Sequence, residues 1–163
     1  MSLKRSFPPV VDEQVRLLVL GSLPGERSLA QAQYYAHPQN RFWMLMGAVI
    51  GVELTALDYA QRLQQLLAHH VGLWDVVASA RRSGSLDSQI RDHTGNDIAG
   101  LVQSLPQLQA IAFNGGTAAR HGLKQLGALA DRYSIVLLPS SSPAYTLPLE
   151  RKLEAWRALI PFL

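Results

Sequence analysis

The chain has 163 residues, about one domain's length, and its 48% hydrophobic and 17% charged content excludes a disordered tail. It contains no cysteine, which rules out disulfide staples, thiolate zinc sites and cysteine-ligated iron–sulfur clusters. The net charge of +3 is modest, but twelve arginines stand against three lysines (Lys4, Lys124 and Lys152), and arginine favours forked contacts to phosphate and other planar anions. No apolar stretch approaches the roughly 18 residues of a membrane span. Residues 1–11 carry Lys4 and Arg5 ahead of Phe7-Pro8-Pro9 and lack the apolar core of a secretory signal, so a cytoplasmic location is expected. A single domain over 1–163 is expected, with 1–14 as an N-terminal arm.

Val15 to Leu20 is a short apolar run ended by Gly21, as in a strand buried on both faces of a parallel sheet. Gly21 to Asn40 has no amphipathic period and holds Pro24, Gly25 and Pro38, so it reads as a shaped loop. Helical spacing follows over Phe42 to Ile50 and again over Ala56 to Leu67. Val71 to Val77 reads as the second strand, and Ser79 to Asn96 as a polar stretch. Asp97 is placed to cap a helix reaching about Leu105. Gln109 to Phe113 is the third strand, and Asn114-Gly115-Gly116-Thr117 opens a helix through Leu126. Ser134 to Leu138 is the fourth strand, broken by Pro139, and a last helix runs from about Leu149 to Leu159. Strands alternating with helices imply right-handed crossovers and an α/β fold, three α/β/α layers around a central four-stranded, mainly parallel sheet. Ligands bind such sheets beyond the carboxyl ends of the strands, so the functional residues should follow Leu20, Val77, Phe113 and Leu138.

Two of those positions are unusual. Gly21-Ser22-Leu23-Pro24-Gly25-Glu26 follows the first strand and leads to Tyr34-Tyr35-Ala36-His37-Pro38-Gln39-Asn40-Arg41-Phe42-Trp43. Pro139-Ser140-Ser141-Ser142-Pro143-Ala144-Tyr145 follows the fourth. Neither fits a dinucleotide fingerprint, a Walker loop or a nucleophile elbow. Gly, Ser and Pro do leave the main chain accessible to a phosphate backbone, although the same residues also build ordinary turns.

In combination these segments resemble the uracil-DNA glycosylase superfamily. The Gly-x-x-Pro-Gly loop with the Tyr35 to Trp43 string is similar to its first motif, and Leu138-Pro139-Ser140-Ser141-Ser142-Pro143-Ala144 to its second. Ser22, the paired tyrosines, the serine run, Leu73-Trp74-Asp75-Val76 and Ser83-Gly84-Ser85-Leu86-Asp87 resemble the hypoxanthine branch most. The resemblance implies a monofunctional enzyme that removes hypoxanthine from deoxyinosine in DNA, working as a monomer without metal or other cofactor. The rival readings are a mismatch-specific uracil/thymine glycosylase and a non-catalytic damage-binding module of the same fold.

The third position of the first loop, an acidic or amide residue in most of the superfamily, is here Leu23, which cannot position water. The resemblance moves the catalytic role to Asn40, whose carbonyl can hold a water in line with C1′; a helix cap is the competing role, and Glu26 is the rival catalytic residue. Tyr35 is expected to stack on the extruded base, with Tyr34 in the core or at the rim. Ser140 takes the place of the group that stabilises the leaving base. Ser22, Ser141, Ser142, Arg81 and Arg82 are the expected DNA contacts, and Tyr145 the wedge into the duplex. Gly21, Leu23, Pro24 and Gly25 form the active-site loop. Asp75 is left between bracing the site and a turn role. His37 is left between a phosphate contact and loop closure, and His69-His70 at a helix end is not a metal site.

Overall fold

Continuous apolar runs become the strands of the central sheet. The structure, a computed structural model, describes residues 3–163; Met1 and Ser2, the start of the expected arm, lie outside the described residues. Strands β2 (Leu17–Gly21), β3 (Val71–Asp75), β6 (Ala110–Asn114) and β7 (Ser134–Leu138) pair in the order β3-β2-β6-β7, every pair parallel. β2 and β6 are buried throughout, which is why neither shows an apolar–polar alternation.

The pleat sends alternate residues of these strands into two cores. Leu17, Val19, Ala110 and Ala112 face helices α2 (Phe42–Ile50), α3 (Tyr59–Ala68) and α6 (Leu149–Trp156). Leu18, Leu20, Ile111 and Phe113 face α4 (Ile98–Ser104) and α5 (Gly116–Leu126). The expected three layers are therefore present. Asp97 caps α4 by accepting from the Gly100 N–H at 3.0 Å, and Asp58 with Gln61 forms a capping box on α3.

Several elements differ from the expected ones or add to them. The segment Val71 to Val77 is two strands: β3 ends at Asp75, the Val76 and Val77 N–H groups still bond Gly21 O and Ser22 O, and from Val77 the chain runs on into another sheet. β4 (Val77–Arg81) then joins β1 (Leu3–Arg5) and β5 (Arg91–Gly95) in a second, antiparallel sheet of order β1-β4-β5. All five residues of β5 are exposed, so pairing and not periodicity makes the polar stretch a strand. The arm, in turn, is built in: beyond β1, the Trp74 indole donates to Phe7 O and the Tyr34 hydroxyl to Pro8 O. Finally, the loop after β2 contains a short helix, α1 (Glu26–Gln31).

Candidate active site

The carboxyl ends of β2, β3, β6 and β7 open onto one cleft of about 710 Å³, lined by both Gly/Ser/Pro loops and by Tyr35, Asn40, Asp75 and Asn114. That volume lies in the range of small-ligand sites. Residues that follow Leu20, Phe113 and Leu138 line this cleft, and on the second strand the lining residue is Asp75, where β3 ends.

Tyr35 has φ of 54°, a left-handed backbone that costs a bulky residue on the order of 1–3 kcal/mol. The strain places its ring flat on Phe42, with centroids 3.8 Å apart and planes 7° from parallel. Its hydroxyl accepts from Asn114 Nδ2 at 3.3 Å. Burial, and then the nearby Asp75, pushes its phenol well above the ordinary tyrosine range, so the ring stays neutral. Tyr34 is 3% exposed and belongs to the core.

Asn40 borders the cleft, and its Oδ1 accepts from the Phe42 N–H at 3.0 Å. The N-cap of α2 is Arg41, so Asn40 is not the cap itself but holds the first N–H of the helix from the residue before it. A carbonyl oxygen has a second lone pair, and among the described residues Nδ2 has no partner, so the amide keeps capacity toward the cleft. Leu23 is buried in the core beside α4 and α5. Glu26 is exposed and paired with Lys4 at 3.0 Å.

The second loop is fixed by a residue that sequence reasoning read only as a helix opener. Asn114, at the end of β6, donates from Nδ2 to Ser141 Oγ and accepts from the Ser141 N–H, both at 2.9 Å. Its position at a strand's carboxyl end was the available signal. Gly115 beside it has φ of +99°, and a Cβ there would stand 3.1 Å from Ser140 Cβ, so a side chain would displace the loop. From below, Lys152 donates to Ser142 O at 3.0 Å and the Trp156 indole to Pro139 O at 2.9 Å.

These contacts revise the expected DNA contacts. Ser141 is 1% exposed and committed to Asn114, so its side chain serves the loop and not a phosphate. Arg82 is 1% exposed, donating from Nε to Gly84 O and from Nη2 to Pro24 O; it clamps the first loop instead of facing solvent. Ser22 lines the cleft, but its hydroxyl donates to Asp87 Oδ1 at 2.7 Å. Ser140 and Ser142 are half-buried at the cleft, their hydroxyls accepting from Ser142 N–H and Ala144 N–H. Tyr145 stands on the rim, 49% exposed, with the Lys152 ammonium 5.6 Å from its ring centroid. Arg81 is exposed at the end of β4, away from the cleft lining. His37 closes its own loop, its Nδ1 accepting from the Gln39 N–H.

Asp75 is the one buried carboxyl in the cleft lining. It is 3% exposed, and its Oδ2 is buried without a hydrogen-bond partner among the described residues. Burial first, and then Asp87, pushes its pKa up from 3.8 to about 7, against the attraction of Arg82. Gly21, paired in register with it, is required here: a Cβ would come within 2.6 Å of Asp75 Oδ1 and 2.7 Å of Tyr35 Oη. Among the described residues no cluster of ligating side chains is arranged to hold a metal ion.

Comparison with known proteins agrees with this arrangement. Residues 8–160 match the uracil DNA glycosylase superfamily. A protein of Methanosarcina barkeri named hypoxanthine DNA glycosylase is 38% identical, over 94% of this chain and 95% of its own. A protein of the same name from Methanosarcina acetivorans is 40% identical, over 96% of this chain and 98% of its own. A solution NMR structure from Methanosarcina acetivorans, described as a candidate uracil DNA glycosylase, superposes with a TM-score of 0.84 at 39% identity, covering 98% of this chain and 97% of that one. The chain belongs to the uracil DNA glycosylase superfamily.

Proposed function

We propose that this chain is a monofunctional DNA glycosylase that hydrolyses the N-glycosidic bond of deoxyinosine, releasing hypoxanthine and leaving an abasic site for base excision repair. The observation that carries the reading is the cleft itself. An aromatic ring stacked on Phe42, an amide with spare hydrogen-bonding capacity and two small-residue loops meet at the carboxyl edge of a parallel sheet, in a chain about 40% identical to proteins named hypoxanthine DNA glycosylase.

In this reading the extruded base enters the cleft and stacks against Tyr35, which replaces the neighbours it lost on leaving the duplex. Asn40 holds the attacking water. Its Oδ1 is steadied by the Phe42 N–H, which makes the contribution one of orientation. Positive charge develops on the sugar in the transition state, and the DNA phosphates help to stabilise it. Ser140, half-buried in the cleft lining beside the Asn114–Ser141 latch, supports the leaving base. Among the described residues no lysine lines the cleft, so attack by a lysine amine on C1′ has no candidate there.

Duplexes carrying hypoxanthine, uracil or xanthine, treated with the protein and then with alkali, test the reading. Release of hypoxanthine far faster than uracil is expected, because Leu23 is buried in the core and offers no group to activate water. Equal or reversed rates would assign the chain a uracil specificity. Binding of every duplex without strand scission would assign it a damage-recognition role.

A further inference from the structure

We propose that Asp75 donates a proton to the purine as it departs, and is a catalytic residue of base release; the inference rests on the deoxyinosine reading above. The sheet brings this carboxyl to the reaction site. Asp75 ends β3, pairs in register with Gly21, and lines the same cleft as Tyr35 and Asn40. Its Oδ1 lies against Gly21, and its buried Oδ2 has no partner among the described residues. A buried, unsatisfied carboxyl oxygen is disfavoured unless something completes it, and the residue that carries it lines the cavity where the base is placed.

The groups around it keep it protonatable. Asp87, from the loop between β4 and β5, repels a negative charge on it. Arg82, from the same loop, attracts one, and does so less than burial and Asp87 oppose it; its Nε and Nη2 bond Gly84 O and Pro24 O, and its buried Nη1 has no hydrogen-bond partner among the described residues. Tyr34 and Tyr35, from the segment before α2, and Tyr59, from α3, stay neutral because burial raises their phenols. With burial dominant, Asp75 titrates at about 7, so a large share of molecules carries the acid at neutral pH.

The chemistry balances without a further reagent. The C1′–N9 bond breaks, and its electron pair enters the imidazole ring of the base. N7 takes the Asp75 proton, so hypoxanthine leaves neutral. Water adds to C1′ and releases its proton to solvent, and Asp75 regains one from solvent. Purines are open to this route because N7 accepts a proton while the base is still attached.

Single-turnover rates for wild type and Asp75→Asn, on duplexes with deoxyinosine or 7-deaza-2′-deoxyinosine (which has no N7 to protonate), test the step. The wild-type rate on deoxyinosine should fall as pH rises through about 7. Asp75→Asn should be slower by about 10²–10⁴-fold and flat over that range. On the 7-deaza duplex the two proteins should react equally slowly. An Asp75→Asn enzyme that keeps the wild-type pH profile, or loses the same factor on both duplexes, would overturn the role of Asp75 and leave the deoxyinosine reading intact. A wild type that releases no hypoxanthine at all would overturn both. The two substrates compared on wild type alone keep the test independent of how the variant folds: a rate equal on both duplexes also overturns it.

Discussion

Replacing Asp75 by Asn should make the protein more stable at high pH while it impairs the site. Asp75 is 3% exposed, and its folded-state pKa is about 7 against an ordinary 3.8. A raised acid in the folded state means that, between those values, the folded chain holds a proton the unfolded chain has already lost. Stability is therefore fully present below about pH 4, falls as pH rises toward 7, and levels off above. At about 1.4 kcal/mol per pH unit, the ionised carboxylate costs roughly 4 kcal/mol at pH 8. Asn cannot ionise and escapes this loss. It retains the cost of an unpartnered buried polar group, but so does the protonated acid, so that contribution cancels from the pH dependence. Urea denaturation at several pH values should show the two proteins nearly alike at about pH 4 and diverging by up to roughly 4 kcal/mol at pH 8. For a domain of this size that is a rise in Tm of roughly 8–16 °C. Parallel stability–pH curves for the two proteins would refute the reasoning, because they would mean that Asp75 ionises as readily folded as unfolded.

Asn40→Ala should bind deoxyinosine DNA nearly normally, lose about 10²–10³ in single-turnover rate and about 1 kcal/mol of stability, since it removes the proposed hold on the water together with the hydrogen bond to the Phe42 N–H; Asn40→Asp should keep more of the rate, and a fully active Asn40→Ala would return attention to Glu26. Arg82→Met should leave the salt dependence of DNA affinity unchanged, because the buried guanidinium meets no phosphate, and should move the Asp75 titration upward by removing its nearby cation; a shallower salt slope would put Arg82 back on the DNA. Gly21→Ala should lower both Tm and excision rate, because the new methyl would meet Asp75 Oδ1 and Tyr35 Oη at 2.6 and 2.7 Å; a variant melting like wild type would show that this corner yields easily.

The sheet was legible because buried parallel strands are unbroken apolar runs, as Leu17 to Leu20 and Ala110 to Phe113 are. Once the strands were placed, their carboxyl ends located the cleft. The second sheet was hidden because β5 has no buried residue, so nothing in Arg91 to Gly95 carries a period of two. Arg82 was misread for a related reason. Beside Arg81 it looks like half of a charged pair, whereas Arg82 lies just past the end of β4, where the chain leaves Arg81 exposed and buries Arg82 against the first loop. Asp75 ends a strand, where the sequence of a turn residue and that of a buried acid are the same. Only the packing of Gly21 and the Tyr35 hydroxyl over it tells them apart.

The loop after β2 is held from outside the main sheet. Pro24 O is bonded by Arg82, the Glu26 N–H by Ser85 Oγ, the Ser22 hydroxyl by Asp87, and the Glu26 carboxylate by Lys4, all residues of the antiparallel ribbon or the turn between β4 and β5. That ribbon ends in a strand with no apolar burial, the kind of element that opens first in native-state fluctuations. An opening that spreads from β5 through the turn and β1 would release all four grips on this loop together, which ties the lifetime of the assembled cleft to that of the ribbon. Amide exchange at Glu26 should then follow exchange in β4 and β5, not the slower exchange of β2, to which the loop is covalently joined.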